Sequence, residues 1–345
     1  MRCFTGEQLR SYCTRVLTRT GISPADAATV ADCLVDADLS GVESHGVSRL
    51  SIYLQRLDAG VVEKENRVRV LSESPAALAV DAGNCMGAVG ATFAMKKCIE
   101  KAAQAGSCWA TVKSSNHFGT AAYYTKMAAS AGMIGIAMTN VTAKIAPWGS
   151  SDAYMGTNPI SIAVPSEGLP VVLDMAPSVV AMGKLILAQK LGKSIPEGWA
   201  LGPDGKPTTD PAVGRKGTMV PIGGPKGSGL AIFVDIFCGV LSGGEFGPHL
   251  NDLYADMVNP QGVGHIFCAI DISKFVPLET FRSRISQMSK EIKALHKKPG
   301  VSEIFMPGEI ECRRHAERLE KGIEISDAVY AELQEIGARY GVSLS

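Results

Sequence analysis

Three side chains suited to proton transfer or anion binding follow one another near the N-terminus: His45, Arg49 and Tyr53. Histidine titrates near neutral pH and can pass a proton, and the arginine fork can hold a carboxylate through two hydrogen bonds. In a helix, the i, i+4, i+8 spacing puts all three on one face. A surface helix with mixed polar side chains has the same spacing, so the pattern alone leaves both interpretations open.

A second histidine, His117, lies in the segment Ser114–Gly119, between a strand-like run and a helical pattern. Turns from a strand to a helix are where α/β proteins place their ligands. The alternative is a helix cap, with Ser115 or Asn116 as the capping residue and His117 incidental. His117 is therefore a candidate for acid–base chemistry on its position.

Three further segments combine glycine or proline with polar side chains: Gly156-Thr157-Asn158-Pro159, Asp174–Ser178, and Lys226 between glycines. Glycine lets the backbone approach a ligand closely, and a lysine beside it can pair with a phosphate. Ordinary turns and a solvated lysine would explain the same residues.

Several motifs with well-defined chemistry are missing from the sequence. No G-x-G-x-x-G follows a strand, so there is no sign of a Rossmann domain, and no serine or threonine directly follows Lys226 as a Walker A motif requires. The six histidines form no H-x-x-x-H or H-x-H pair, so no metal site is predicted. The absence of G-x-S-x-G disfavours a serine hydrolase.

The elements that must position these residues can be anticipated from periodicity. Thr5 with Gln8 predicts a capping box, Ser23 with Pro24 begins a second helix, and Ser326 caps a helix near the C-terminus.

The middle of the chain alternates strands with helices, which predicts an α/β domain. Strands are predicted at Cys108–Val112, Met133–Thr139, Ile160–Val164, Val171–Met175 and His265–Asp271. Helices are predicted at Gly90–Ala105, Ala121–Ala131, Val179–Leu191 and Gly229–Leu241. The stretch Pro196–Gly224 is predicted to be a long functional excursion.

Composition argues against nucleic-acid-binding, membrane-spanning and secreted proteins. The 345 residues carry 34 basic and 34 acidic side chains, so no basic excess favours nucleic acid or an anionic membrane. The nine cysteines form no C-x-x-C pair and suit reduced thiols in a cytoplasmic protein. The N-terminus lacks the apolar core of a signal peptide, and the most apolar run, Leu230–Leu241, is too short to span a membrane.

Taken together, several segments resemble the malate/L-lactate dehydrogenase family of the non-Rossmann type. The matching stretches run in family order across nearly the whole chain. They are SHGVSRL (44–50), SNHFGTAAYY (115–124), APWGS (146–150), GTNPI (156–160), DMAPS (174–178), IPEGWA (195–200), DGKPTTDP (204–211), GGPKGSG (223–229) and MPGE (306–309).

The resemblance implies a homodimer whose subunits have a non-Rossmann nicotinamide-binding α/β domain, residues 71–277. A separate helical domain would be formed by both termini, residues 1–70 and 278–345. The substrate is expected near the acid–base candidates His117 and His45 and near Ser44, Arg49, Tyr53 and Asn158. NAD or NADP is expected near Thr157, Asp174, Met175, Ala176, Lys226, Pro307, Gly308 and Glu309. Two residues depart from the family: Val141 replaces a frequent serine, and Ser228 replaces a frequent tyrosine.

The resemblance implies an NAD(P)-dependent enzyme that interconverts a small 2-hydroxy acid and its 2-oxo acid, with His117 favoured over His45 for the proton. One alternative is reduction of a cyclic imino acid such as piperideine-2-carboxylate by NADPH. Another is a non-catalytic nucleotide-binding protein. Lys144, in a loop that the resemblance puts near the cleft, could meet a second anionic group of the substrate, or could be solvated.

Overall fold

A computed structural model describes residues 2–344 of the chain. The strands are β1 Arg2–Phe4, β2 Arg69–Ser74, β3 Ala77–Asp81, β4 Ser107–Ser115, β5 Met133–Thr139, β6 Ile160–Val164, β7 Val171–Met175, β8 Ala200–Leu201, β9 Pro207–Thr208, β10 Thr218–Met219, β11 Val263–Asp271 and β12 Ile323–Ile325. The α-helices are α1 Gly6–Arg19, α2 Pro24–Leu39, α3 Leu50–Asp58, α4 Gly87–Ala105, α5 Ala121–Ser130, α6 Met182–Lys190, α7 Pro211–Lys216, α8 Pro225–Asp235, α9 Leu278–Lys293, α10 Glu309–Lys321 and α11 Asp327–Tyr340.

A seven-stranded mixed sheet, in the order β2-β3-β4-β11-β5-β6-β7, forms the centre of the fold. Strands β3 and β4 are parallel, whereas β11 is antiparallel to both β4 and β5. β6 is antiparallel to β5 and to β7. The carboxyl ends of β4, β5 and β7 therefore lie at the same edge of the sheet, together with the amino ends of β11 and β6.

Local sequence signals account for the helix starts. Thr5 and Gln8 form the expected capping box at α1, Ser23 caps α2 with Pro24 at its first position, and Ser326 caps α11. Each side chain satisfies a backbone N–H that has no partner within its helix.

The two ends of the chain meet. β1 pairs with β12, and Tyr12 of α1 donates to the backbone oxygen of Leu333 in α11. A separate terminal helical domain is not confirmed, however. Leu9 and Leu34 of the terminal helices share one continuous buried cluster with Val80 and Phe267 of the central sheet. The division into residues 1–70 plus 278–345 and residues 71–277 stays a prediction.

The stretch from Pro196 to Gly224 is more regular than the sequence indicates. It contains the three-stranded sheet β10-β8-β9 and the short helix α7, which Asp210 caps. The predicted helix Gly229–Leu241 begins earlier, at Pro225, and continues as a π-helical turn over Ile236–Val240. Strands of two residues are too short for a periodic pattern to reveal them.

Candidate active site

The candidate residues lie along the sheet edge where β4, β5 and β7 end. His117 follows β4, Thr157 and Asn158 precede β6, and Asp174 lies within the last two residues of β7. Neighbouring strands are about 4.8 Å apart, so the four steps from β4 to β7 span about 19 Å. The candidates are thus spread along one line, which suits an elongated ligand.

A buried histidine joins the ends of β4 and β5. The two ring nitrogens of His265, in β11, each lie 2.8 Å from a hydroxyl, Nδ1 from Thr139 Oγ1 and Nε2 from Ser115 Oγ. Burial lowers the pKa of His265 to about 3, so the ring is neutral. Next to this contact the β4–β11 pairing has a bulge, and Ser114 has a φ of +53°. Bulges of this kind redirect the following side chains.

Asn116 fixes the turn after the bulge. Its Nδ2 donates to the backbone oxygens of Asn84 and Cys85 at 3.2 and 2.9 Å. The predicted alternative of a helix cap at Ser115 or Asn116 is wrong, because α5 begins after Thr120, which makes no side-chain capping bond. The side chains of Ser115 and Asn116 therefore stabilise the turn between β4 and α5 and do not cap α5.

His117 is in direct contact with residues of the first candidate segment. Its Nδ1 lies 2.7 Å from the Tyr53 hydroxyl, and its ring stacks on His45 with 5.5 Å between centroids. The Gly119 N–H also points to Nδ1, at a long 3.4 Å. Two candidates more than 60 residues apart in sequence are therefore brought together.

The expected helix carrying His45, Arg49 and Tyr53 on one face is wrong. Two 3₁₀ turns, Glu43–His45 and Val47–Arg49, precede α3, and the extended backbone of Gly46 separates them. A Cβ at Gly46 would lie 1.8 Å from Asp38 Oδ1, and the Asp38 carboxylate accepts the Val47 N–H at 2.7 Å. This close approach requires glycine and breaks the helical path.

Ser44 and Arg49 complete this end of the site. Ser44 Oγ lies 2.9 Å from His45 Nδ1, and Arg49 Nε donates to the Ser44 backbone oxygen at 2.5 Å. No ion pair involves Arg49 within residues 2–344, and its guanidinium lies 5.4 Å from the ring centre of Tyr254. Arg49 can therefore receive an anion.

Both site histidines are neutral at pH 7. Burial, and to a lesser extent the neighbouring Arg49 charge, lowers the pKa of His45 to about 4. Burial also lowers the pKa of His117 well below its usual value, with contributions from His45, Arg49 and His265. Burial raises the pKa of Tyr53, which keeps its phenol protonated.

The second group of candidates lies in or against the edge strand β7. Met175 pairs with Ile160 across β6 and β7, and Ala176 follows at the end of the strand. The Asp174 carboxylate accepts the Ala122 N–H at 2.8 Å, at the N-terminus of α5. The turn formed by Pro307, Gly308 and Glu309 lies against the first half of β7, because the Val172 N–H donates to the Pro307 oxygen at 3.0 Å.

Two of these candidates have side chains already engaged with protein atoms. Asn158 Oδ1 accepts the Val141 N–H at 3.1 Å, and Asn158 Nδ2 donates to the Ala231 oxygen at 3.0 Å. Glu309 contacts Lys293 and Arg313 and accepts the Met306 N–H. Their roles toward substrate and cofactor stay predictions.

Lys226 lies at the first turn of α8, next to Gly223 and Gly224, which both have a φ of +60°. Its side chain is exposed, and no ion pair engages it in the part of the chain that the structure describes. A Cβ at Gly224 would lie 3.0 Å from the Trp148 ring. Ser228, one of the two departures from the family pattern, accepts the Trp148 N–H at 2.9 Å.

These groups fit a nicotinamide dinucleotide. The Asp174 carboxylate, at the end of β7, has the chemistry to accept hydrogen bonds from ribose hydroxyls, as acidic residues at strand ends do in other nucleotide sites. Lys226, with glycine backbone at a helix start, supplies the donors that phosphates need. Within residues 2–344, no group of three or more His, Cys, Asp or Glu side chains could hold a metal ion. No helix in that range is long and apolar enough to cross a membrane.

Three residues near the site carry no sequence signal. Gln261 Oε1 accepts the His117 N–H at 2.9 Å, Tyr254 lies over Arg49, and Asp38 holds the Val47 N–H. Each acts on a residue that is distant in sequence or through the backbone, so no motif marks it.

Known proteins resemble this chain over nearly its full length. The sequence profile described as malate/L-lactate dehydrogenase matches residues 4–334. The malate dehydrogenase of Pyrococcus horikoshii is 42% identical over 344 residues, 97% of this chain and 95% of its own. The Escherichia coli ureidoglycolate dehydrogenase (NAD(+)) is 34% identical over 328 residues, 95% and 93% of the two chains.

A relative named for NADP rather than NAD is similar over a comparable share of both chains. The (2R)-3-sulfolactate dehydrogenase (NADP(+)) of Chromohalobacter salexigens is 33% identical, over 96% of this chain and 97% of its own. Among solved structures, sulfolactate dehydrogenase from Methanocaldococcus jannaschii has a TM-score of 0.94 at 36% identity, with 99% and 98% of the two chains covered.

The fold, the site and these relatives define an NAD(P)-dependent dehydrogenase acting on 2-hydroxy acids. The chain belongs to the malate/L-lactate dehydrogenase family. The predicted class of enzyme and its cofactor, NAD or NADP, are confirmed. The alternative of a non-catalytic nucleotide-binding protein is not supported.

Proposed function

We propose that the enzyme interconverts a dianionic 2-hydroxy acid of the malate or sulfolactate type and its 2-oxo acid, at the end of β4. The observation that carries this proposal is the contact of His117 with Tyr53 and His45 beside Arg49, whose guanidinium has no ion-pair partner among residues 2–344. Arg49 would hold the carboxylate next to C2, and His117 would handle the proton at the C2 oxygen.

Tyr53 supports proton transfer in both directions. Its hydroxyl can donate to His117 Nδ1 or accept from it. In reduction, the protonated ring would deliver its Nε2 proton to the C2 oxygen of the oxo acid while Tyr53 accepts from Nδ1–H. When Tyr53 accepts from the neutral ring, Nε2 presents a lone pair that can take the hydroxyl proton. A nicotinamide ring, when bound, supplies or accepts the hydride at C2.

The cofactor would lie along the remaining sheet edge. Thr157, Asp174, Met175 and Ala176 line the ends of β6 and β7, and Lys226 would meet a phosphate. The turn 307–309 would close the far end, with Glu309 acting through its contacts with Lys293 and Arg313.

Lys144 would meet the second anionic group. Its Nζ lies 3.2 Å from Asp252 Oδ2, and Asp252 Oδ1 accepts the Tyr254 N–H at 2.8 Å. Because Tyr254 lies over Arg49, this chain of contacts connects Lys144 to the carboxylate-binding end of the site. Asp252 offsets part of the Lys144 charge, and a bound anion would compete with it.

The proposal includes a cytoplasmic homodimer. α8 and the π turn expose Phe233, Ile236, Val240 and Leu241 by 40 to 59%, an apolar face that a second copy could cover. All nine cysteines are free thiols, which suits a reducing compartment.

Replacing His117 with alanine should lower kcat by about 10²- to 10⁴-fold, the usual contribution of general acid–base catalysis. Nucleotide affinity, measured by NAD(P)H fluorescence titration, should stay unchanged. His45→Ala should have a smaller effect, and His296→Ala, at an exposed site, serves as the matched control. A loss under about tenfold for His117→Ala with a larger loss for His45→Ala would exchange the two roles.

The low pKa of His117 determines the pH dependence of both directions. Oxidation needs the neutral ring as base, so its kcat/KM should stay level as pH falls through 6.5 and drop only below the lowered pKa. Reduction needs a proton on the ring, so its kcat/KM should rise as pH falls through the same range. Initial rates across pH in both directions measure this, and an acidic limb for oxidation at or above pH 6.5 contradicts it.

The charge pair Lys144–Asp252 should set the preference for dianions. Asp252→Asn keeps the oxygen that accepts the Tyr254 N–H but removes the charge, so kcat/KM for oxaloacetate relative to pyruvate should rise by about two- to fivefold, the range of a half-exposed ion pair. Lys144→Met should lower the same ratio. Equal effects on oxaloacetate and pyruvate would leave Lys144 a surface residue.

A further inference from the structure

The loop Asn251–Gln261 touches both proposed substrate-handling groups. It connects a 3₁₀ turn at Gly247–His249 to β11. Its two ends are tied together, because the Asn251 N–H donates to the Gln261 oxygen at 3.2 Å and Asn251 Nδ2 donates to the Pro260 oxygen at 2.7 Å. These two hydrogen bonds close the loop at its base.

A buried arginine holds this loop from inside. Arg56 of α3 is only 1% exposed. Its Nη1 donates to the backbone oxygens of Leu253 and Asp256 at 3.2 and 2.6 Å, and its Nη2 donates to that of Asn259 at 3.3 Å. These three carbonyls are spread over most of the loop. Removing the guanidinium would leave the buried Leu253 carbonyl and the partly buried carbonyls of Asp256 and Asn259 without this partner, which is costly above all for Leu253.

The end of the loop positions His117. Gln261 is 2% exposed, and its Oε1 accepts the His117 N–H at 2.9 Å. No other hydrogen bond to that N–H is present within residues 2–344. The amide therefore fixes the backbone from which the His117 ring projects.

The middle of the same loop contacts Arg49. Tyr254 places its ring 5.4 Å from the Arg49 guanidinium carbon, and Asp252 orients the turn through the Tyr254 and Ala255 N–H groups. Arg56 belongs to the same helix as Tyr53, the hydrogen-bond partner of His117. One buried side chain thus connects α3 to contacts with both Arg49 and His117.

We infer that Arg56 and Gln261 are positioning residues that fix the distance between the carboxylate-binding Arg49 and the proton-transferring His117. The inference rests on the roles proposed above for those two residues. A 2-oxo acid carries its carboxylate and its reacting carbon on adjacent atoms, so the two protein groups must keep a fixed separation. A misplacement of about 1 Å can cost about 10²-fold in rate.

Gln261 offers the sharper test. Gln261→Leu should lower kcat for the oxo acid by about ten- to a hundredfold with nucleotide affinity unchanged. Gln261→Glu keeps an oxygen that accepts the His117 N–H and should recover most of kcat. Where that carboxyl ionises, it should also move the acidic limb of the oxidation pH profile upward. Wild-type kcat in Gln261→Leu would overturn the inference.

Arg56→Lys tests the clamp itself. Lysine keeps the charge but cannot reach three carbonyls with one planar fork. Amide hydrogen exchange should quicken within residues 251–261, KM for the oxo acid should rise and kcat should fall. Arg339→Lys, an exposed arginine paired with Asp58 at the end of α3, is the matched control. Faster exchange with unchanged KM and kcat would make the clamp structural only and overturn the inference.

Failure of the positioning inference can be distinguished from failure of the proposed active site. If His117→Ala and Arg49→Lys lose activity while the Arg56 and Gln261 variants keep it, the positioning inference alone is wrong. If His117→Ala keeps full activity, the proposed site is wrong regardless of the loop. Should Arg56→Lys not fold, the Gln261 variants still decide the question.

Discussion

The double hydrogen bond of His265 is the interaction on which the site depends. This ring spans from Ser115 of β4 to Thr139 of β5 at the point where both strands end. A neutral imidazole has one donor and one acceptor, and two hydroxyls can complement both. Phe118 stacks on the ring with 4.5 Å between centroids, which fixes its plane. Because the ring is fully buried, any loss of these bonds would leave polar groups unsatisfied.

The consequence of this constraint is a rigid turn after β4. Ser115 is held by His265, Asn116 by the turn after β3, and the His117 backbone by Gln261. Catalytic groups work best when neighbouring packing and hydrogen bonds fix them. Three separate contacts thus fix the turn that carries the acid–base candidate His117 before any substrate binds. The same edge of the sheet continues to the cofactor-binding candidates of β6 and β7.

Local patterns predicted the central elements well. The predicted strands Met133–Thr139 and Ile160–Val164 agree with β5 and β6 to the residue, because their apolar runs pack against α5. β2 was not predicted, since all six of its residues are exposed and it has no apolar alternation. The helix expected around Arg49 was wrong because the contact of Asp38 with the backbone at Gly46 and Val47 is a tertiary interaction.

The site residues could be predicted only in part from the sequence, because several of them depend on tertiary contacts. His45, His117 and Arg49 stand out by residue type, and the family resemblance named them. Gln261 lies 144 residues from His117, and Arg56 lies 197 residues from Leu253, so no spacing rule connects them. Gln261 and Arg56 act through the backbone, and only the fold brings such partners together.

A dehydrogenase of 2-hydroxy acids must also reduce 2-oxo acids at the expense of NADH or NADPH. The most direct measurement is the initial rate with each reduced cofactor against pyruvate, oxaloacetate, sulfopyruvate and piperideine-2-carboxylate, followed by the absorbance of the reduced nicotinamide. We expect turnover of the oxo acids, fastest with oxaloacetate or sulfopyruvate. Reduction of piperideine-2-carboxylate with no turnover of any oxo acid would contradict it.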